Sequence, residues 1–482
     1  MKFYSQIFFI AIFEFIIFKT QAQLCGSDTL SLQKKWEYGT GLVLPIHVTV
    51  DSLNPSYIFA SAMSGGLLIF DVSNPNAATL ANTIPISSFD NLYVMNTEQY
   101  SNYLYVALGN YFGTNVQKSG MAIIDVTDPL NPVITDQWEN STVVKGSAIV
   151  KVQGNYAYLG AMTDGLIILD VTDKSNIQFV SKFIPDPNWP VPNPIPSATP
   201  NARGMQVIGD IVYLCYDAGG LRIINIADKS NPKETGRYIN QSALNKQQAY
   251  NNIVLHDNLA YIGVDFCGME IVNVSDTSNI TQVGWWNPWD CTSLNNLWVG
   301  SHGHGNEVTY DDQQKVVFMS AGASDLRIID VSDPSNPDSC GGYGAFTDTL
   351  GAYGATVSGD KIFLSYIIAF IPYVSVWSGI KELQWSSTFN AVVDPEEKDN
   401  FSATPNPFSG EIELEIHSLH SSNAAIEITD ALGRKWFNEK NILLNSGITN
   451  LHFGLPQLPD GLYFISLIEN NRRFIQKVMK QD

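Results

Sequence analysis

The chain has 482 residues and a formal net charge of −20, from 27 Lys and Arg against 47 Asp and Glu. That length exceeds one ordinary domain, and 45% hydrophobic residues exclude a wholly disordered chain. The acidic balance argues against a nucleic-acid partner, because like charge repels phosphate backbones. By region the charge is about +1 for 1–23, −19 for 24–399 and −2 for 400–482, so the acidity lies in the middle.

Residues 1–22 begin with Lys2, run through FFIAIFEFIIF (8–18) and reach a small residue at Ala22. The apolar run is too short to span a bilayer and reads as a secretory signal peptide cut near Ala22. Ala22, Gln23 and Leu24 lack the small residue that a lipoprotein signal needs just before Cys25, so simple cleavage is expected. No other segment reads as membrane-crossing; LSYIIAFIPYV (364–374) is short and broken by Pro372.

Self-similarity governs 41–385. LLIFDVSNP (67–75), MAIIDVTDP (121–129), LIILDVTDK (166–174), LRIINIADK (221–229), MEIVNVSDT (269–277) and LRIIDVSDP (326–334) are copies of one segment. An aromatic precedes the shared Asp or Asn by twelve residues (Phe59, Tyr158, Tyr213, Tyr261, Phe318), or by twenty at Tyr105, where a loop is inserted. The same arithmetic puts a worn seventh copy at YVSVW (373–377), twelve residues after Phe363. Each copy reads as four strands, A to D. Gly66, Gly120, Gly165, Gly220 and Gly268 sit where the B–C hairpin demands positive φ. Units of about fifty residues, too small to bury both faces alone, predict an all-β fold: a seven-bladed β-propeller over 24–385, one blade per copy. LQKKWEY (32–38) is a candidate strand D for blade seven, closing the ring; LQW (383–385) competes for that role. The repeat resembles the LVIVD repeat of secreted and surface propellers, a resemblance that implies architecture and no particular activity.

Strand alternation puts B–C and D–A loops on one face and A–B and C–D turns on the other. Every long insertion falls on the first face: 109–119, 184–203, 239–250 and 287–305. Loops on a rigid scaffold are the usual place for recognition, and a channel mouth is concave. Trp189, Tyr250, Trp289 and Trp298, as exposed aromatics, with Arg203, Asn251, Asn306 and Tyr353 near strand A starts, are the candidate ligand-binding residues for an extracellular glycan or protein. The alternative for each Trp is to pin its own loop. His302 and His304 also join the binding set, and with Glu307 they form a weak zinc-like cluster; the acidic turns, such as Asp330-x-x-Asp333, have oxygens at spacings that suit calcium. A residue used by nearly every blade is better explained by an Asx turn, so no cofactor is expected. Asp164, Asp217 and Asp265 occupy B–C turns, and no nucleophile or phosphate-loop motif stands in a convincing context. A secreted hydrolase or lyase at the channel mouth, or a structural surface protein, are the alternatives to a binding module. Among five cysteines, Cys267–Cys291 and Cys25–Cys340 are the expected disulfides, and Cys215 a buried free thiol.

A polar linker (386–400) precedes the separate unit 401–482. Alternating strands at EIELEIH (411–417), AIEITD (425–430), GLYFISLIE (461–469) and FIQKVMK (474–480) predict a small Ig-like β-sandwich. PNPF (405–408), DALGR (430–434), LPDGLYF (458–464) and KVMK (477–480) resemble the type A C-terminal sorting domain of the type IX secretion system. The resemblance rests on Pro405, Asn406, Pro407, Phe408, Gly433, Gly461, Tyr463, Lys477 and Lys480. It implies that this domain engages the type IX machinery of a gram-negative cell and is removed on export, leaving a released or surface-attached product.

Overall fold

Strand C of each repeat is apolar at consecutive positions, so both of its faces must be covered by neighbouring units. The computed structural model describes residues 30–112, 115–143, 145–190, 200–243, 249–292, 303–344, 349–370, 374–387, 401–418, 422–430, 434–444, 447–469 and 472–481. The leader, Trp298, His302, Gly433 and Cys25 lie outside them. Blade one is His47–Val50, Tyr57–Ser61, Leu67–Asp71 and Thr79–Ile84, strands A to D in antiparallel order. The order repeats five times, with strand A at Val94–Tyr100, Ile149–Gln153, Gly204–Ile208, Tyr250–His256 and Gly305–Asp311. Blade seven takes strands A to C from Ala352–Ser358, Lys361–Tyr366 and Gly379–Ser387, and strand D from Leu30–Gly39. Successive A strands adjoin in an unbroken ring, blade seven's against blade one's, and so line a central channel.

Two sequence expectations are corrected here. Strand C of blade seven begins at Gly379 and runs through Leu383–Trp385, so LQW belongs to strand C while 32–38 supplies strand D. YVSVW therefore misses the strand: Ser375 bridges Ala369 within a lengthened B–C hairpin. In blade two, Gly120 lies inside strand C (Lys118–Asp125) and is not among the positive-φ glycines, because the inserted loop replaces the tight hairpin. Gly66 and Gly165 do adopt positive φ, and a Cβ there would meet the carbonyl oxygens of Ile84 and Phe183.

The aromatic of each strand B is buried between blades, from Phe59 and Tyr105 round to Phe363. The recurring acidic residues are turn devices. Asp71, Asp125, Asp170, Asn225, Asn273 and Asp330 each accept the backbone N–H two residues on, at 2.8–3.0 Å. Strand D then enters with a register shift at the same place in all six blades, between Ile168 and Leu169 in blade three. Cys267 and Cys291 are disulfide-bonded, Cys215 is buried and free, and Cys340 is itself disulfide-bonded.

The second unit has its own core around Ile412, Leu414, Ile426, Tyr463, Ile465 and Val478. It is a sandwich of a three-stranded sheet (Phe401–Thr404, Glu411–Ser418, Gly447–Gly454) and a four-stranded one (Lys435–Leu444, Ser422–Asp430, Gly461–Glu469, Arg472–Lys480). The motif residues stitch its two ends together. Asn406 donates to the Lys477 carbonyl at 3.0 Å and accepts from the Met479 N–H at 2.8 Å. Phe408 is buried and bridges Lys480, and Tyr463 donates to the Pro459 carbonyl at 2.8 Å. Among the described residues no helix is long and apolar enough to cross a membrane.

Candidate functional site

Four blades begin strand A with a register irregularity, at Val94/Asn96, Tyr250/Asn252, Gly305/Val308 and Ala352/Gly354. Such bulges re-aim side chains. The residues within or beside them, Met95, Asn251, Asn306, Glu307 and Tyr353, line the channel together with His47, Asn96 and Arg203.

Three blades meet across the channel mouth. Tyr111, in the insertion of blade two, places its hydroxyl 3.2 Å from that of Tyr353 in blade seven. Arg203, which leads into strand A of blade four, donates from Nη2 to the Tyr353 hydroxyl at 3.2 Å, and its guanidinium lies 5.2 Å from the Tyr111 ring centre. Phe112 stacks on Tyr111 and packs edge-on to Tyr353. Burial alone would lower the pKa of Arg203, but Tyr353, Tyr111, Asp217 and Asp265 more than offset it, leaving the pKa raised and the group charged.

Deeper in the channel, His47 Nδ1 lies 2.6 Å from Glu307 Oε1, and Glu307 Oε2 accepts the Ala355 N–H at 2.9 Å. A cavity of about 260 Å³ lies along the channel, bordered by His47, Lys151, Gln206, Asn252, Glu307 and Thr309 among others.

The sequence candidates divide. Arg203, Asn251, Asn306 and Tyr353 are brought together at the mouth. Tyr250 is not exposed: it opens strand A of blade five, is fully buried and donates from its hydroxyl to Glu270 at 3.1 Å. Trp189 is half-buried over Arg222 and Arg237, 4.7 and 5.1 Å from ring centre to guanidinium, and its carbonyl accepts from Arg222. Trp289 packs edge-on against Trp286 at 5.2 Å and against Gly303, so both Trp residues pin their loops. The zinc-like trio is split: Glu307 faces His47, while His304 Nδ1 lies 2.6 Å from Asp265 in another blade. Among the described residues no three His, Cys, Asp or Glu side chains gather to hold a metal. The three Asp residues of the B–C turns have separate partners. Asp164 pairs with Lys182, Asp265 with His304, and Asp217 accepts from Asn201. Burial raises the pKa of Asp217, and Arg203 works against that rise.

Tyr111, Phe112 and His47 went unnoticed in the sequence, although 109–119 stood out as an insertion. A second missed feature is a charge in strand C, three residues before the shared Asp or Asn position, in four consecutive blades, Arg222, Glu270, Arg327 and Lys381, where blades one to three have Leu68, Ala122 and Ile167. Glu270 is fully buried, accepts from Asn240, Tyr238 and Tyr250, and is pushed up to about 7 by burial, those hydrogen bonds opposing the rise. Lys381 is ringed by Tyr366, Trp377 and Tyr343 at 4.5–5.5 Å.

The class defined by this geometry is a propeller with one decorated face, followed by a small sandwich. The LVIVD repeat matches residues 54–84, 146–184, 201–240, 250–287 and 318–344, and the secretion system C-terminal sorting domain matches 402–481. The chain is an LVIVD-repeat β-propeller with a type IX sorting domain, which indicates secretion or attachment at the cell surface. No curated protein matches the sequence. Among solved structures, "Structure of U3-55K" and "Crystal structure of RRP9 WD40 repeats" both align at TM-score 0.51 and 9% identity. They cover 74% of this chain and 98% and 100% of theirs. "Crystal Structure of Mitotic Checkpoint Complex" aligns at 0.50 and 11%, covering 77% and 99%. At such identity the likeness shows the fold alone.

Proposed function

We propose that the protein is an exported recognition module that binds an extracellular glycan or protein at the channel mouth of its loop-bearing face. The observation that carries this reading is the convergence of Tyr111, Arg203 and Tyr353 from three blades onto one concave spot, flanked by Phe112 and by Asn251 and Asn306. Aromatic faces beside a cation and amides are the usual furniture of a specific binding surface. The long insertions are confined to this face, while the turns of the opposite face stay short. The sorting domain supports delivery to the exterior, where such a face would meet glycans and surface proteins.

The experiment is a glycan and surface-protein array probed with the intact protein, with and without EDTA. The expected result is a saturable hit, unchanged by the chelator and lost on Phe112→Ala. Turnover of an arrayed compound, or hits indifferent to Phe112→Ala, would overturn the reading.

A further inference from the structure

We infer that the channel mouth takes a single carboxylate-bearing sugar residue, with its carboxylate on Arg203 and its hydroxyls on Asn251 and Asn306. This rests on the recognition reading above and narrows its ligand class. A guanidinium carries five N–H donors. That of Arg203 uses one bond, to the Tyr353 hydroxyl, and has no ion-pair partner among the described residues of this acidic chain. The nearby carboxylates are held by others, Asp217 by Asn201 and Asp265 by His304 and Asn251. The Tyr111 contact leaves the remaining N–H groups in the guanidinium plane for a two-oxygen acceptor.

The second observation is independent. Asn251 and Asn306 are both buried, and both line the cavity beside Arg203. Their amide N–H groups are engaged: Asn251 donates to Asp265 at 2.5 Å and to the Gly305 carbonyl at 2.6 Å, Asn306 to the His304 carbonyl at 3.4 Å. Their amide oxygens are buried with no hydrogen-bond donor among the described residues. The mouth therefore asks for an anion at one point and for neutral O–H donors at two others, because unpaired buried polar atoms are costly. An acidic sugar supplies both, and its C–H face suits the stacked Tyr111–Phe112 pair. One guanidinium in a chain of charge −20 favours a single carboxylate over a polyanion.

The test is calorimetric titration of the intact protein with an aldobiouronic acid and with sialyllactose, each compared with its methyl ester, with neutral lactose and with a peptide ending in Glu. The expected result is binding of at least one acid, with its ester weaker by roughly ten- to a hundredfold. Arg203→Gln should bring the acid down to the ester's affinity. The ester comparison uses unaltered protein, so it stands even if Arg203→Gln disturbs folding. Equal affinity for acid and ester would overturn the carboxylate while leaving glycan recognition standing. Binding of the peptide and of neither acidic sugar would overturn the sugar class but keep the face. Failure of every sugar and peptide, together with a silent array, would remove both readings.

Discussion

Trp36 Nε1 donates a 2.9 Å hydrogen bond to Glu382 Oε2, joining residues 346 positions apart. Trp36 stands on the strand that closes blade seven, and Glu382 on the strand C beside it, in direct register. Burial raises the pKa of Glu382, while Lys361 and the Trp36 N–H lower it, so the bond satisfies a costly carboxylate at the seam that closes the ring. Trp36→Phe keeps the ring and removes the donor. It should destabilise the propeller by about 1–3 kcal/mol, read as a lower urea midpoint at unchanged slope.

Glu270 makes stability fall with pH. Its folded pKa, about 7, lies above the ordinary glutamate value of 4.5, so the folded chain holds a proton that the unfolded chain releases. Stability contributed this way is fully present below pH 4.5, declines between 4.5 and 7, and is flat above. The span is worth up to about 3 kcal/mol. Glu270→Gln should flatten urea stability measured from pH 5 to 8 and exceed the parent at pH 8. A parent curve already flat over that range would contradict the assignment.

Trp189 roofs Arg222, whose guanidinium is fully buried and ion-paired with Glu234 at 3.2 Å. Trp189→Ala should therefore lower thermal stability, by about 2–4 kcal/mol given the half-buried ring, and leave binding on the array unchanged in saturating affinity. Loss of affinity without loss of stability would return Trp189 to the binding set.

In the sorting domain, Asn406 ties the chain's last strand to the start of the first sheet through one donated and one accepted bond. Asn406→Ala removes both and should cost about 1–2 kcal/mol. The measurable consequence is faster proteolysis of the C-terminal unit, with the propeller's own urea transition unmoved.

Reduction offers a fourth handle on the propeller. The Cys215 thiol is buried and its pKa pushed up by that burial. Iodoacetamide should label Cys215 only after denaturation, with or without reductant, whereas Cys267 and Cys291, equally buried, should label only when the protein is both reduced and denatured.

The sequence by itself determined the repeat, the number of blades, the capping role of the shared Asp and Asn, and the identity of the tail. The first three follow from periodicity and turn chemistry, which are local: an Asx turn such as Asp170–Thr172 is decided within three residues. The tail follows from its resemblance to a known family through short motifs such as PNPF (405–408). It also pointed to Arg203, Asn251, Asn306 and Tyr353, because strand starts can be counted along a repeat. Tertiary structure alone decided what those residues meet. The Arg203–Tyr353–Tyr111 junction joins blades four, seven and two, and the bulges that turn strand A inward leave no mark in spacing. Burial of Tyr250 on Glu270, separation of His304 from Glu307 and the true start of blade seven's strand C were likewise hidden. Each depends on contacts between segments far apart in the chain, and a one-dimensional pattern records which faces are apolar but not which neighbours cover them.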